Sequence, residues 1–235
     1  PCGAIVYKIS LPSTVREDTM SKDAYTGPVC AICGVRACSA EPGEKQHPTI
    51  CPMPREEELL AQVEQVYLRD ERVRQLAVES ARTEAAGYCE NTRVEEIMDF
   101  ARRIGASRLG IAHCVGLMQE ARMARKIFEA GGFEVYTACC KVGSIPKESI
   151  GLEDRDKVRP GGFEVLCSPV GQAALLDKAG CQLNVVIGLC VGHDSLFFMH
   201  SQAPVTVLVA KDRVLGHNPV ASLYTSHSYY SRLTD

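Results

Sequence analysis

The chain has 235 residues, twelve of them cysteine, a formal net charge of −3 and no tryptophan. This length allows one sizeable core with a small appended module, and interspersed charges with few aromatic side chains argue against a nucleic-acid partner. The sequence shows neither a signal peptide nor eighteen consecutive apolar residues, so we expect a cytoplasmic protein without a membrane span. In a reducing cytosol the cysteines are expected as free thiols, which suits an anaerobe; disulfides are the alternative if the chain is exported.

Composition divides the chain into three parts. Residues 1–29 contain Ser, Thr, Pro and Gly among mixed charges, and we expect an extended arm in which Cys2 has no ligand role. Residues 30–54 form a cysteine-rich module. Residues 55–235 are predicted to hold a helical lead-in and an α/β domain.

The module has the cysteine spacing of a metal site, in the order Cys30-x2-Cys33-x4-Cys38-x12-Cys51. A Cys-x-x-Cys pair can hold one metal centre from a single tight turn, and the two later thiols can complete its coordination. Pro52 directly follows the last cysteine, an ending typical of ferredoxin-type runs that favours an iron–sulfur cluster. Structural zinc is the alternative, because Cys33-Gly34 ends a zinc-knuckle sequence, although a second close cysteine pair is missing. His47 is a substitute ligand.

Two helices are predicted next. Apolar residues recur at helical spacing from Leu59 to Ala81 after an acidic first turn, which predicts one long helix ended by Gly87. Thr92-Arg-Val-Glu95 is a capping box and predicts a second helix that reaches Gly105.

The remainder alternates between apolar runs and helical segments. Strands are predicted at residues 109–115, 133–139, 183–190 and 205–210, with a fifth candidate at 163–167. Helices are predicted at residues 117–130, 169–178 and 194–200, and a helix between strands has the length of a parallel crossover. The pattern indicates an α/β fold with a mostly parallel open sheet and helices on both faces, Rossmann-like, plus the N-terminal cysteine-rich metal-binding cap.

A second group of cysteines falls at predicted strand ends. Carboxyl ends of parallel strands meet along one edge of the sheet, where the following helices point amides that lower thiol pKa values. Each such cysteine alone is as well explained by packing, since cysteine is a common buried residue. Cys139 and Cys140 compete for one position, and we select Cys140, which lies beside Lys141 and on the opposite face from Cys139. The sequence therefore predicts a second metal or cluster site from Cys114, Cys140, Cys167 and Cys190.

Gly188-Leu-Cys190-Val-Gly192 also has the form of a nucleophile elbow. A cysteine nucleophile would need a histidine from elsewhere in the chain, such as His113 or His217. His193 directly follows the elbow and is predicted either to begin a helix or to donate a proton beside the second thiol site.

Lys211-Asp-Arg213 and His217-Asn-Pro219 follow the last predicted strand. They would place cations and an imidazole at the same edge, where they could bind an anionic substrate; a surface ion pair and a helix start are the alternatives. The candidate catalytic residues are His193, Lys211 and His217.

The chain resembles an uncharacterised prokaryotic domain-of-unknown-function family, number eighteen-forty-seven, over roughly residues 28–232. The motifs that carry the resemblance are Cys30-Ala-Ile-Cys33-Gly34 with Cys51-Pro52, Thr92-Arg-Val-Glu-Glu96, Gly110-Ile-Ala-His-Cys114, Gly188-Leu-Cys-Val-Gly-His-Asp194, and Lys211-Asp-Arg213 with His217-Asn-Pro219. Members are labelled predicted metal-binding proteins, so the resemblance implies metal binding through cysteines in bacteria or archaea, frequently anaerobes. It implies no particular reaction.

The leading hypothesis is an iron–sulfur protein with one or two 4Fe-4S clusters, or a cluster and a metal, and with redox or reductive or lyase chemistry on a small anionic or sulfur-containing molecule. One alternative is a cysteine-nucleophile hydrolase or transferase that uses Cys190 and carries a structural zinc cap. Another is a non-catalytic electron carrier or metal-storage protein. The expected partner is a small anionic substrate or a redox partner protein, without nucleic acid or membrane; the sequence leaves the oligomeric state open.

Overall fold

A computed structural model describes residues 25–234 of the chain. These residues belong to two compact units that meet between Val78 and Glu79. Of the arm predicted for residues 1–29, only residues 25–29 are among the described residues, and Cys2 lies outside them. Each unit is described by itself below.

The described part of the first unit, residues 25–78, contains turns followed by helix. Its described elements are two short 3-10 turns at Cys30–Ile32 and Ala37–Ser39, helix α1 at Glu57–Arg69 and the start of helix α2 at Glu71–Gly87. No residue between 25 and 78 is buried, so the described part of this unit has no apolar core.

The prediction of a single long helix from Leu59 to Gly87 is wrong in one respect, because the helix is interrupted at Asp70. The backbone of Asp70 is extended, and its Oδ1 accepts a hydrogen bond from the Val73 N–H at 2.9 Å. An aspartate that bonds the backbone three residues later starts a new helix, since this contact satisfies an amide that helix geometry leaves free.

The second unit, from Glu79 onward, contains a parallel sheet of four strands in the order β2-β1-β3-β4. The strands are β1 Arg108–His113, β2 Glu134–Cys139, β3 Leu183–Ile187 and β4 Val205–Val209. The helices after α2 are α3 Arg93–Arg103, α4 Met118–Ala130, α5 Pro169–Lys178, α6 His193–His200 and α7 Val220–Tyr224.

The predicted α/β class and parallel sheet are confirmed. All five residues of β3 are buried, as a central parallel strand covered on both faces requires. The chain passes from β1 to β2 in one direction across the sheet and from β2 to β3 in the other. Because parallel crossovers are right-handed, α4 covers one face while α5 and α6, which contact each other, cover the opposite face.

The candidate strand at residues 163–167 does not join the sheet. Val165 instead forms an isolated antiparallel bridge with Pro146, and the Leu166 N–H donates to the Ile145 carbonyl at 2.8 Å. The segment therefore pairs within its own loop. Strand β3 also ends earlier than predicted, at Ile187, because Gly188 turns the backbone with a φ of 65°.

None of the helices described in residues 25–234 is sufficiently long and apolar to cross a bilayer.

Candidate functional site

The change of direction between β1 and β3 creates the crevice in which open α/β sheets place their ligands. Cys114 directly follows β1, and its N–H donates to the Ile187 carbonyl at the end of β3 at 3.1 Å. Cys140 directly follows β2, and its carbonyl accepts from the Ser168 N–H at 2.7 Å, which fixes Cys167 beside it. Cys190 follows β3. We call these four residues the rim site.

Cys140 is the central thiol of the rim site. It is 2% exposed, its Sγ lies 3.9 Å from that of Cys167, and it forms a side-chain hydrogen bond with Cys114. The Val115 N–H also donates to this sulfur at 3.3 Å. Cys139 stands opposite His113 within the sheet. The structure thus brings Cys140, rather than Cys139, into contact with the other thiols.

Each of the three outer thiols contacts one cationic side chain. Lys211 Nζ lies 3.5 Å from the sulfur of Cys114, and Lys141 Nζ lies 3.4 Å from that of Cys167. The guanidinium of Arg213 donates to the sulfur of Cys190 at 3.0 Å. Lys211 and Lys141 lower the pKa values of Cys114 and Cys167 and so favour the anionic form of these two thiols.

The contacts within the rim site separate its thiol pKa values. The hydrogen bond from Cys140 lowers the pKa of Cys114, and the Gly116 N–H and Lys211 lower it further. The pKa of Cys167 is lowered by Cys140 first, then by Lys141 and His193. The pKa of Cys140 is raised because its thiol forms hydrogen bonds with Cys114 and Cys167 and because it is buried. These shifts favour the anionic form of Cys114 and Cys167 and the neutral form of Cys140.

The two candidate histidines differ in position. His193 is the first residue of α6, and its charge contributes to lowering the pKa of Cys167. His217 instead closes the loop that carries Lys211. Its ring Nδ1 accepts a hydrogen bond from the backbone N–H of Asp212 at 3.0 Å, and its backbone N–H donates to the Asp212 carbonyl at 2.8 Å. His217 therefore holds the cationic loop, while His193 acts on Cys167 electrostatically.

Two cation–thiol pairs were not specified by the sequence. Lys141 pairs with Cys167, 26 residues away, rather than with the adjacent Cys140, and Arg213 rather than a histidine contacts Cys190. The position of Lys141 next to Cys140 in the sequence does not indicate which thiol it contacts, because the direction of the lysine side chain depends on the fold of the loop up to residue 167. No local signal identifies either pair.

The first unit holds its own group of thiols. Cys30, Cys33, Cys38 and Cys51 line one cavity of about 270 Å³. This is roughly nine times the ~30 Å³ that a water molecule occupies in the liquid. Backbone N–H groups of Arg36 and Val35 lower the pKa of Cys33. His47 Nδ1 lies 3.4 Å from the sulfur of Cys51, where it was predicted as a substitute ligand.

All eleven cysteines between residues 25 and 234 are free thiols. In the same part of the chain, no three side chains of His, Cys, Asp or Glu have an arrangement that could hold a metal ion.

The fold and the rim site define an α/β protein with a thiol cluster, lined by cations, at the carboxyl edge of its sheet. The chain belongs to the family described as Protein of unknown function (DUF1847), whose model matches residues 51–208. The match contains the whole rim site and begins after Cys30, Cys33 and Cys38.

A relative from Methanocaldococcus jannaschii, the uncharacterized protein MJ0455, is 41% identical over 169 residues. The alignment covers 72% of this chain and 84% of that protein. No solved structure matches the chain.

Proposed function

We propose that the protein is a metal–thiolate protein whose rim site binds an iron–sulfur cluster, or a metal, through Cys114, Cys140, Cys167 and Cys190. The observation that carries this proposal is the contact of Cys140 with Cys114 and Cys167 at the crevice between β1 and β3. Cys190 follows the neighbouring strand end, and a cation lies beside Cys114, Cys167 and Cys190. Packing alone gives a cysteine no reason to contact a lysine or an arginine.

The donor chemistry of the rim site fits such a centre. Thiolates are the preferred ligands of iron–sulfur clusters and good ligands of zinc, and a ligand must be deprotonated to bind. Lys141, Lys211 and Arg213 would offset the negative charge of several thiolates around one centre.

We place a second centre at Cys30, Cys33, Cys38 and Cys51. The four thiols line one cavity, and no residue between 25 and 78 is buried. The described residues 25–78, which form no apolar core, would gain stability from a bound metal or cluster, as small metal-binding modules commonly do. The role of this centre would be to pass electrons or to hold the unit together.

The rim site is the proposed place of reaction, with redox or reductive or lyase chemistry on a small anionic or sulfur-containing molecule. A bound cluster would supply electrons, or an open coordination position as a Lewis acid. Lys211 and Arg213 would bind and orient the anion, and His193 beside Cys167 would exchange a proton with it. If no substrate reacts, the same centres suit an electron carrier with a redox partner protein.

Metal analysis of protein purified under argon tests the proposal. We expect iron with matching sulfide and a cluster absorption spectrum. The double variant Cys114→Ser with Cys190→Ser should lose about half of the iron, and Cys30→Ser with Cys33→Ser should lose the other half. Cys139→Ser is the matched control, because this thiol lies beside the rim site and outside its contacts. Unchanged iron content in the Cys114→Ser and Cys190→Ser double variant would contradict the proposal of a metal centre at the rim site.

One observation favours a second candidate function, a cysteine-nucleophile hydrolase or transferase with structural zinc. The turn around Cys190 has positive φ at both Gly188 (65°) and Gly192 (84°), and the Arg213 guanidinium donates a hydrogen bond to the Cys190 sulfur at 3.0 Å. This alternative predicts one zinc and no colour. It also predicts that Cys190→Ser abolishes hydrolysis of a thioester or amide substrate while the zinc content stays unchanged.

A further inference from the structure

We infer that Cys140 and Cys167 form a redox-active dithiol that reduces small disulfides, with Cys167 as the attacking sulfur and Cys140 as the resolving sulfur. The inference goes beyond the proposed function and does not require a bound metal. A metal at the rim site would occupy both sulfurs and protect them from this reaction.

The positions of the two cysteines provide the geometry of a dithiol. Their sulfurs are 3.9 Å apart, which is van der Waals contact, and the Ser168 N–H bond to the Cys140 carbonyl holds the two backbones together. A disulfide requires a sulfur separation of about 2.05 Å. Because the two main-chain segments are already adjacent, side-chain rotation can supply most of this approach.

Access and charge assign the two roles. Cys140 is 2% exposed and cannot meet a disulfide from solution, whereas Cys167 is only partly buried. Lys141 Nζ lies 3.4 Å from the sulfur of Cys167, and a second bond from this ammonium to the Val165 carbonyl anchors it there. The ammonium would stabilise negative charge on Cys167 when this sulfur attacks and again when it leaves during re-reduction.

The reaction balances in two steps. The Cys167 thiolate attacks a small disulfide RSSR, which forms a mixed disulfide with Cys167 and releases one RS⁻. The Cys140 thiol then attacks the Cys167 sulfur, its proton passes to the departing RS⁻, and RSH leaves. The dithiol gives up two electrons in forming the Cys140–Cys167 disulfide, and the small disulfide takes them up. A small dithiol would return the protein to its reduced form.

Trapping the intermediate tests the assignment. The full chain, both as purified under argon and after treatment with a chelator, is mixed with hydroxyethyl disulfide, alkylated and mapped by mass spectrometry. We expect a Cys140–Cys167 linkage that dithiothreitol reverses. Cys140→Ser should instead accumulate the mixed disulfide on Cys167, Cys167→Ser should form neither product, and Cys139→Ser should behave as the unmodified chain.

Lys141→Gln provides a second readout that separates the lysine from general structure. It should slow formation of the mixed disulfide in the Cys140→Ser background by roughly tenfold or more, the effect of one charge-assisted hydrogen bond. A linkage through other cysteines, or no adduct on Cys167 in either preparation, would overturn the inference. Metal content measured on the same samples reports on the proposed function separately, because the linkage should form in the chelator-treated preparation whether or not the purified protein carries metal.

Discussion

Two cysteines at opposite ends of the sheet show how the surroundings set the chemistry of a thiol. Cys114, after β1, has its pKa lowered by donors that surround its sulfur. Cys181, just before β3, is 8% exposed, and burial raises its pKa to about 11. The first sulfur is prepared to be an anion and the second remains a neutral packing group. Counting cysteines in the sequence cannot distinguish these roles, whereas the element end at which each one falls can.

We expect Cys181 to make stability depend on alkaline pH. Its folded pKa lies above the value of about 8.5 in an unfolded chain, so its contribution is fully present below pH 8.5 and is lost as pH rises through 11. The loss amounts to at most about 3.5 kcal/mol, since each pKa unit corresponds to about 1.4 kcal/mol. Cys181→Ala should flatten the fall of the unfolding free energy between pH 9 and 11, measured with urea under reducing conditions.

Cys89→Ala is the matched control for this experiment, because Cys89 is an exposed thiol of the same unit. The control should keep the alkaline slope of the unmodified chain. Equal slopes in the Cys181→Ala variant and the unmodified chain would show that burial of this thiol does not affect stability.

At the scale of elements, one buried side chain fixes helix α5 to the sheet beside the rim site. Gln172 is fully buried, and its Nε2 donates to the carbonyls of His113 at 3.1 Å and Ala138 at 2.6 Å. These residues lie at the ends of β1 and β2, directly before the segments that carry Cys114 and Cys140. The amide therefore ties the helix that follows Cys167 to the two strands that present the other thiols.

Gln172→Leu should lower the unfolding free energy by about 2 kcal/mol. The substitution keeps the apolar packing but removes both hydrogen bonds, and the Ala138 carbonyl loses its side-chain donor in a buried place. We also expect metal bound at the rim site to dissociate faster in this variant. Gln119→Leu, an exposed position on α4, serves as the control in urea unfolding and should change stability by less than about 0.5 kcal/mol. A Gln172 variant as stable as this control would contradict the proposed tie.

The elements that the sequence predicted correctly are those whose signals are local. Helix α5 begins at Pro169 and ends at Lys178 as expected, and the Thr92–Glu95 capping box opens α3. The break at Asp70 was missed because its cap competes with a strong helical pattern on both sides. Position at a strand end likewise located Cys114, Cys140 and Cys190. The sequence also placed Lys211 and Arg213 at this edge, but it could not assign each cation to a thiol, because Lys211 meets Cys114 across 97 residues of chain.

At the scale of the molecule, the two units differ in what can stabilise the fold of each one. The unit from Glu79 onward has a buried core around β1 and β3, including Leu109, Ile111, Val185 and Ile187. The described residues up to Val78 include no buried residue, and the cavity there is lined by four thiols. Burial of apolar surface supplies most folding stability, and among the described residues it is found only from Glu79 onward, in the core around β1 and β3. A metal centre at the four thiols would give the first unit a cross-link between turns that are otherwise exposed.

Removal of metal should therefore affect the two units unequally. When purified protein is treated with a chelator under reducing conditions, we expect tryptic cleavage at Arg36, Lys45 and Arg55 to accelerate by roughly tenfold or more, because binding energy lost from a metal site is folding energy lost. Arg125 is equally exposed but lies in α4, which packs on the sheet, so cleavage there should keep its rate. The comparison within one digest controls for the protease and for any effect of the chelator on it. Restoring the metal should restore resistance to trypsin at the first three sites. Cleavage rates that change with neither chelation nor restoration of the metal would mean that the four thiols of the first unit do not organise it around a metal.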